Sequence, residues 1–156
     1  MKFAYTALPL RQASPGATGA VRYRPLVPIH VVGPRRLPPV DGCIDSAADD
    51  TVFPPHWSAR LGINVGSAPT GRVRAAGGAI IHVHFAPVTL LLADGREVFR
   101  WDAVVGFSTA PLRWALLGHS AFLDLFDVHL LGARREVLIE PNSAFTGQHL
   151  VTVATP

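Results

Sequence analysis

Apolar residues come in short runs broken by Gly, Pro and Asp-Gly, with little of the 3.6-residue spacing of an amphipathic helix, and this punctuation predicts an all-β chain. Phe3 to Leu8 reads as a first strand, and Gln12 to Gly19 as a loose connection rich in Gly, Ser and Pro. Leu26 to Val32 alternates around Pro28, which suits an edge strand because proline donates no ladder hydrogen bond. Val40 to Ile44 follows, then a polar stop at Asp45 to Asp50. His56 to Gly62 predicts one or two helical turns ended by a glycine cap. Ala79 to Leu92 is a long strand interrupted at Pro87, and Asp94-Gly95 predicts a type I′ hairpin turn into a return strand over Glu97 to Phe107. Ala121, Phe122, Leu125 and Phe126 have the spacing of a short helix. A second hairpin, Asp127 to Leu131 with Glu136 to Glu140, and a last strand, His149 to Val153, complete the pattern.

Composition narrows the class. A length of 156 residues fits one domain, divided here into a strand and loose linker over 1–23 and a domain over 24–156. Hydrophobic residues at 49% and charged residues at 16% exclude a disordered tail. The single cysteine, Cys43, excludes an internal disulfide framework and a multi-thiolate metal site, and favours a reducing compartment. Met1 to Leu10 has no apolar core of a secretory signal, and no apolar run reaches the length of a membrane span. A cytoplasmic protein with no membrane partner is therefore expected. Thirteen of the 14 basic residues are arginines, but they are scattered as pairs such as Arg22/Arg24, Arg72/Arg74 and Arg134/Arg135. That scatter speaks for solvated surface charge and against a nucleic-acid partner.

Of the eight aspartates, Asp45 stands apart. It ends an apolar strand and enters a turn of small residues, Ser46-Ala47-Ala48, followed by Asp49-Asp50-Thr51-Val52. A carboxylate held this way suits sharing a proton with a second carboxylate to activate water. The same residues also suit a simple Asx turn, in which Asp45 or Asp49 accepts local backbone N–H bonds. Spacing alone leaves both open.

The stretch Ile44-Asp45-Ser46-Ala47-Ala48-Asp49-Asp50-Thr51-Val52-Phe53 resembles the active-site loop of the retropepsins, the retroviral-type aspartic proteases. Ala115-Leu116-Leu117-Gly118 is similar to that family's apolar-apolar-Gly element behind the loop, and Gly77-Gly78 falls where the family has a glycine-rich flap. The likeness covers residues 24 to 140 or so. It implies an all-β acid-protease barrel with one short C-terminal helix, half of a C2 homodimer, acting as an endopeptidase on a peptide or protein substrate without cofactor or metal. By the same resemblance, Asp45 is the catalytic carboxylate and the Ser46 hydroxyl ties two active-site loops together. Ala47, Asp49 and Asp50 contact the substrate main chain, Gly77 and Gly78 form the flap, and Val52, Ile80 and Leu112 line subsites. Two positions depart from the family: Ala47 replaces a glycine, and His119 replaces an arginine that pairs with the loop, which leaves Asp49 less well compensated.

Only one such motif is present and the chain has no internal repeat. A dyad can then form only between Asp45 of two copies across a two-fold axis, with Phe3 to Leu8 and His149 to Val153 as interface candidates. His82 and His84 share a strand face but lack a clustered third ligand. No Gly-x-Ser-x-Gly elbow accompanies Ser58 or Ser120, which argues against a serine hydrolase. Trp57, Trp101 and Trp114 are expected as core or interface anchors, and Cys43 as a buried, inert thiol. Two further functions stay in play: a catalytically impaired dimer of the same fold that binds peptide, and an unrelated β-barrel binding domain in which the Asp45 loop is only a turn.

Overall fold

A computed structural model describes residues 1–10, 19–74 and 78–151. Its strands are β1 (Lys2–Ala4), β2 (Thr6–Pro9), β3 (Val21–Arg24), β4 (Leu26–Val32), β5 (Val40–Ile44), β6 (Val52–Phe53), β7 (Thr70–Arg74), β8 (Ile80–Ala93), β9 (Glu97–Ser108), β10 (Ala115–Leu117), β11 (Phe126–Leu131), β12 (Glu136–Pro141) and β13 (Gln148–Val151). The helix α1 (His56–Leu61) lies between β6 and β7. Strands make up 55% of the described residues and helix 4%, and six strands close into a barrel.

The ring runs β4-β5-β10-β6-β9-β8 and returns to β4. Most neighbours are antiparallel, but β10 runs parallel to β5 (Leu116 opposite Cys43) and antiparallel to β6 (Leu116 opposite Val52). The short β10 is thus a wedge between the strand entering the Asp45 turn and the strand leaving it. β6 is only two residues long because Pro54 and Pro55 follow it, and proline cannot continue the ladder. α1 starts at that pair and stops where Gly62 takes a left-handed φ of 76°. The barrel interior is filled by Val27, Ile29, Phe53, Leu61, Leu90, Leu92, Val105, Phe107 and Leu117, all at 1% exposure or less.

Outside the ring, β7 extends the barrel sheet along the first half of β8, and β13 extends it along β9. A separate sheet, β1-β12-β11, packs against the barrel through the aromatic group Phe99, Trp101, Phe122, Phe126 and Phe145. The expected single strand Phe3 to Leu8 is two. β1 pairs with β12 and β2 with β3, and the chain breaks between them at Tyr5, whose N–H donates to the Arg135 carbonyl. The last expected strand begins as β13, and its residues 152 and 153 lie outside the described residues.

Four local expectations are corrected. The short C-terminal helix over 121–126 is a series of turns, with Ala121 at a left-handed φ of 73°. The Trp101 indole N–H donates to the Ala121 carbonyl at 2.9 Å and holds that geometry, while Phe122 and Phe126 are buried as a helical pair would be. Pro87 does not interrupt its strand. β8 runs through it, and on the side away from β9 residues 86–88 lie between the stretch bonded to β7 and Pro69 and the stretch paired to β4, so position 87 needs no N–H. Pro28 is not on an edge strand, since β4 has two neighbours, but its pairing to β8 begins only at Ile29. The Asp94-Gly95 hairpin forms, though Asp94 keeps an ordinary φ and only Gly95 is left-handed at 87°, so the turn is not type I′.

Candidate active site

Asp45 follows the last residue of β5, and its N–H donates to the Leu117 carbonyl of β10 at 3.1 Å. The chain then turns on itself. The Ala48 N–H donates to the Asp45 carbonyl at 3.2 Å, and the Ala47 N–H donates to Asp45 Oδ1 at 3.1 Å. One carboxylate oxygen is therefore aimed by the loop's own backbone, while Oδ2 has no hydrogen-bond partner among the described residues. A half-buried carboxylate with a fixed orientation and one free oxygen is able to exchange a proton with a water or a second acid.

Residues 117–120 brace this loop from behind. The His119 N–H donates to the Ala48 carbonyl at 2.9 Å, the Ser120 N–H to the Asp49 carbonyl at 2.8 Å, and the Thr51 N–H to the Ser120 carbonyl at 3.2 Å. The Gly118 N–H donates to the Thr51 hydroxyl at 3.2 Å, and Thr51 is 1% exposed. Gly118 is required by space: a Cβ there would meet the Asp50 carbonyl oxygen, and the Ala48 carbonyl oxygen at 2.6 Å. Sequence reasoning takes Thr51 only as part of the loop motif and Gly118 only as part of the apolar-apolar-Gly element, and gives neither the contact it makes here. Their signals were a hydroxyl between polar Asp50 and apolar Val52, and a glycine directly after Leu116-Leu117.

Electrostatics differ along the loop. Burial, and after it the charge of Asp49, push the Asp50 carboxyl above the usual carboxylate range. Burial and the charge of Asp45 push the Cys43 thiol up, against a smaller opposite pull from Arg24. Cys43 is half-buried rather than fully buried, and a thiol whose ionisation is disfavoured is a poor nucleophile.

The structure brings Asp45, Ser46, Ala47, Asp49 and Asp50 onto one loop with Gly118 and His119 against it. Ala47 is exposed and its φ is not left-handed, so its methyl sits on the loop without backbone strain. Within the chain the Ser46 carbonyl is engaged by His119 Nε2 at 3.2 Å. His119 does not reach Asp49; its other ring nitrogen lies 3.6 Å from Asp124 Oδ1, and among the described residues Asp49 has no ion pair. Val52 is 5% exposed and sits in the barrel wall, while Leu112 is half-buried in the segment before β10. Gly78 and Ile80 lie on the exposed β7–β8 ribbon, Gly78 with a left-handed φ of 82° and Ile80 at 54% exposure, and neither bonds to the loop. Gly77 lies outside the described residues.

Elsewhere, Trp57 and Trp101 are core residues, and Trp114 is half-buried under the Arg113 guanidinium. Among the described residues no group of three or more His, Cys, Asp or Glu could hold a metal ion. Among the same residues no helix is long and apolar enough to cross a membrane. A shallow groove on the outer barrel wall, lined by Val32, Pro87, Thr89, Asp102 and Val104 among others, contains no residue of the Asp45 loop. Compared with known proteins, the chain matches no family model and no curated protein.

Proposed function

We propose that the protein is an aspartic endopeptidase of retropepsin type, a homodimer in which Asp45 of each copy forms a shared dyad. The observation that supports this most is the bracing of the 45–51 loop. A carboxylate at the end of a barrel strand is oriented by its own loop, and that loop is bound along its length by residues 117–120, which run from the last residue of β10, the strand wedged between β5 and β6. A surface turn has no need of such support. An active-site carboxylate does, because a displacement of about 1 Å costs on the order of a hundredfold in rate.

The chemistry follows from two carboxyls within hydrogen-bond distance, which cannot both ionise and so hold one proton between them. The ionised carboxylate takes a proton from water as the water oxygen bonds to the scissile carbonyl carbon, and the protonated carboxyl gives its proton to the carbonyl oxygen. The tetrahedral diol then returns one hydroxyl proton to the dyad. The other carboxyl protonates the amide nitrogen as the C–N bond breaks, and the dyad is left singly protonated. An extended substrate would add as a strand beneath the β7–β8 ribbon.

The test is hydrolysis of an unstructured peptide by the full chain. Wild type should cleave, and Asp45→Asn should lose at least about a thousandfold in rate with its sedimentation mass unchanged. A statine-type transition-state analogue should raise the Tm of wild type only. Peptide binding without cleavage, and no shift with the analogue, would support the non-catalytic binding dimer instead.

A further inference from the structure

We infer that His119 is a positioning residue for the Asp45 loop, clamping it on both sides of Ala47. Its backbone N–H donates to the Ala48 carbonyl at 2.9 Å, and its ring Nε2 lies 3.2 Å from the Ser46 carbonyl. A carbonyl only accepts, so Nε2 carries the hydrogen in this contact. The residue between the two anchored carbonyls is Ala47, whose N–H aims Asp45 Oδ1. The ring's Nδ1 lies 3.6 Å from Asp124 Oδ1, with both side chains largely solvent-exposed, and that contact is an ion pair only when the ring is protonated. His119 thus serves the loop through the Ser46 main chain, not by neutralising Asp49. Its consequence for catalysis rests on the proposed Asp45 dyad.

Amide hydrogen exchange and peptide hydrolysis on the full chain test this with His119→Leu, which keeps the backbone bond, and His119→Gln, whose side-chain amide still offers a donor toward Ser46. The loss of one hydrogen bond predicts exchange at Ala47 and Ala48 about three- to tenfold faster in the leucine variant, with kcat lower by a similar factor and KM little changed. The glutamine variant should restore both, and exchange at Leu90 and Trp101 in the barrel should not move. Unchanged exchange at Ala47 in the leucine variant, or a glutamine variant that behaves like it, would overturn the assignment; faster exchange with undiminished kcat would overturn its catalytic consequence. Should the leucine variant not fold, His119→Asn, too short to reach Ser46, makes the same comparison. Exchange reads the clamp whether or not the wild type cleaves peptide, so an inactive wild type would remove the proposed function and leave the clamp to be judged by itself.

Discussion

Asp45 and Asp94 make the same local bond and live in different surroundings. Each carboxylate accepts the N–H of the residue two positions on, Ala47 at 3.1 Å and Arg96 at 3.0 Å. Asp94 adds the Glu97 N–H at 3.1 Å and feels the Lys2 backbone N–H as well; it closes the β8–β9 hairpin, and a Cβ at Gly95 would touch nothing. The Asp45 turn is crossed by a second segment that binds its carbonyls, its Thr51 hydroxyl and its strand end. An Asx turn is therefore no sign of a site. The difference lies in the backbone of the turn: a distant segment binds the carbonyls of Ala48 and Asp49, whereas the Asp94 turn closes on its own hairpin.

The largest expected contrast lies at the two glycines. Gly118→Ala forces a methyl into the Ala48 and Asp50 carbonyls and should cost about 3 kcal/mol or more, read from the urea midpoint. Gly95→Ala meets only the strain of its left-handed φ and should cost about 1 kcal/mol. Equal losses would erase the distinction. Next, Thr51→Val leaves the Gly118 N–H unpaired in a buried site and should cost about 1–3 kcal/mol, with Thr51→Ser close to wild type.

The smallest effect belongs to the hairpin. Asp94→Ala should cost about 1 kcal/mol and leave exchange at Ala47 unchanged. Burial pushes the Asp94 carboxyl up, but the backbone N–H groups of Arg96, Glu97 and Lys2 outweigh it and place the folded value below the ordinary 3.8. Its stabilisation is then complete above that ordinary value and lost as pH falls through the folded one. Wild type and Asp94→Ala should converge in Tm below about pH 4.

Strands with regular alternation are legible in the sequence, among them 26–32, 40–44 and both long hairpins, because burial on one face imposes period two. α1 was legible through Gly62. What escaped was set by distant partners. β6 and β10 are too short to carry a period and exist because they pair with each other and with β5 and β9. Ala121 breaks a helical pattern in a turn whose carbonyl receives the Trp101 indole N–H, and no local residue announces that bond. In the site, Asp45 was legible as the end of a buried strand. The element 115–118 is expected behind the loop by resemblance, but the bond from Gly118 to the Thr51 hydroxyl and the contact of the His119 ring with Ser46 are not, since each depends on three-dimensional register.

The most direct test of a dyad built from two copies is subunit mixing. Wild type at fixed concentration is titrated with Asp45→Asn, and peptide hydrolysis is followed after exchange of subunits. If each active site needs one Asp45 from each copy, activity should fall toward zero as wild-type chains are drawn into mixed dimers. Activity that stays at its starting level in a large excess of the variant, under conditions where mixed dimers are shown to form, would contradict a shared Asp45 dyad.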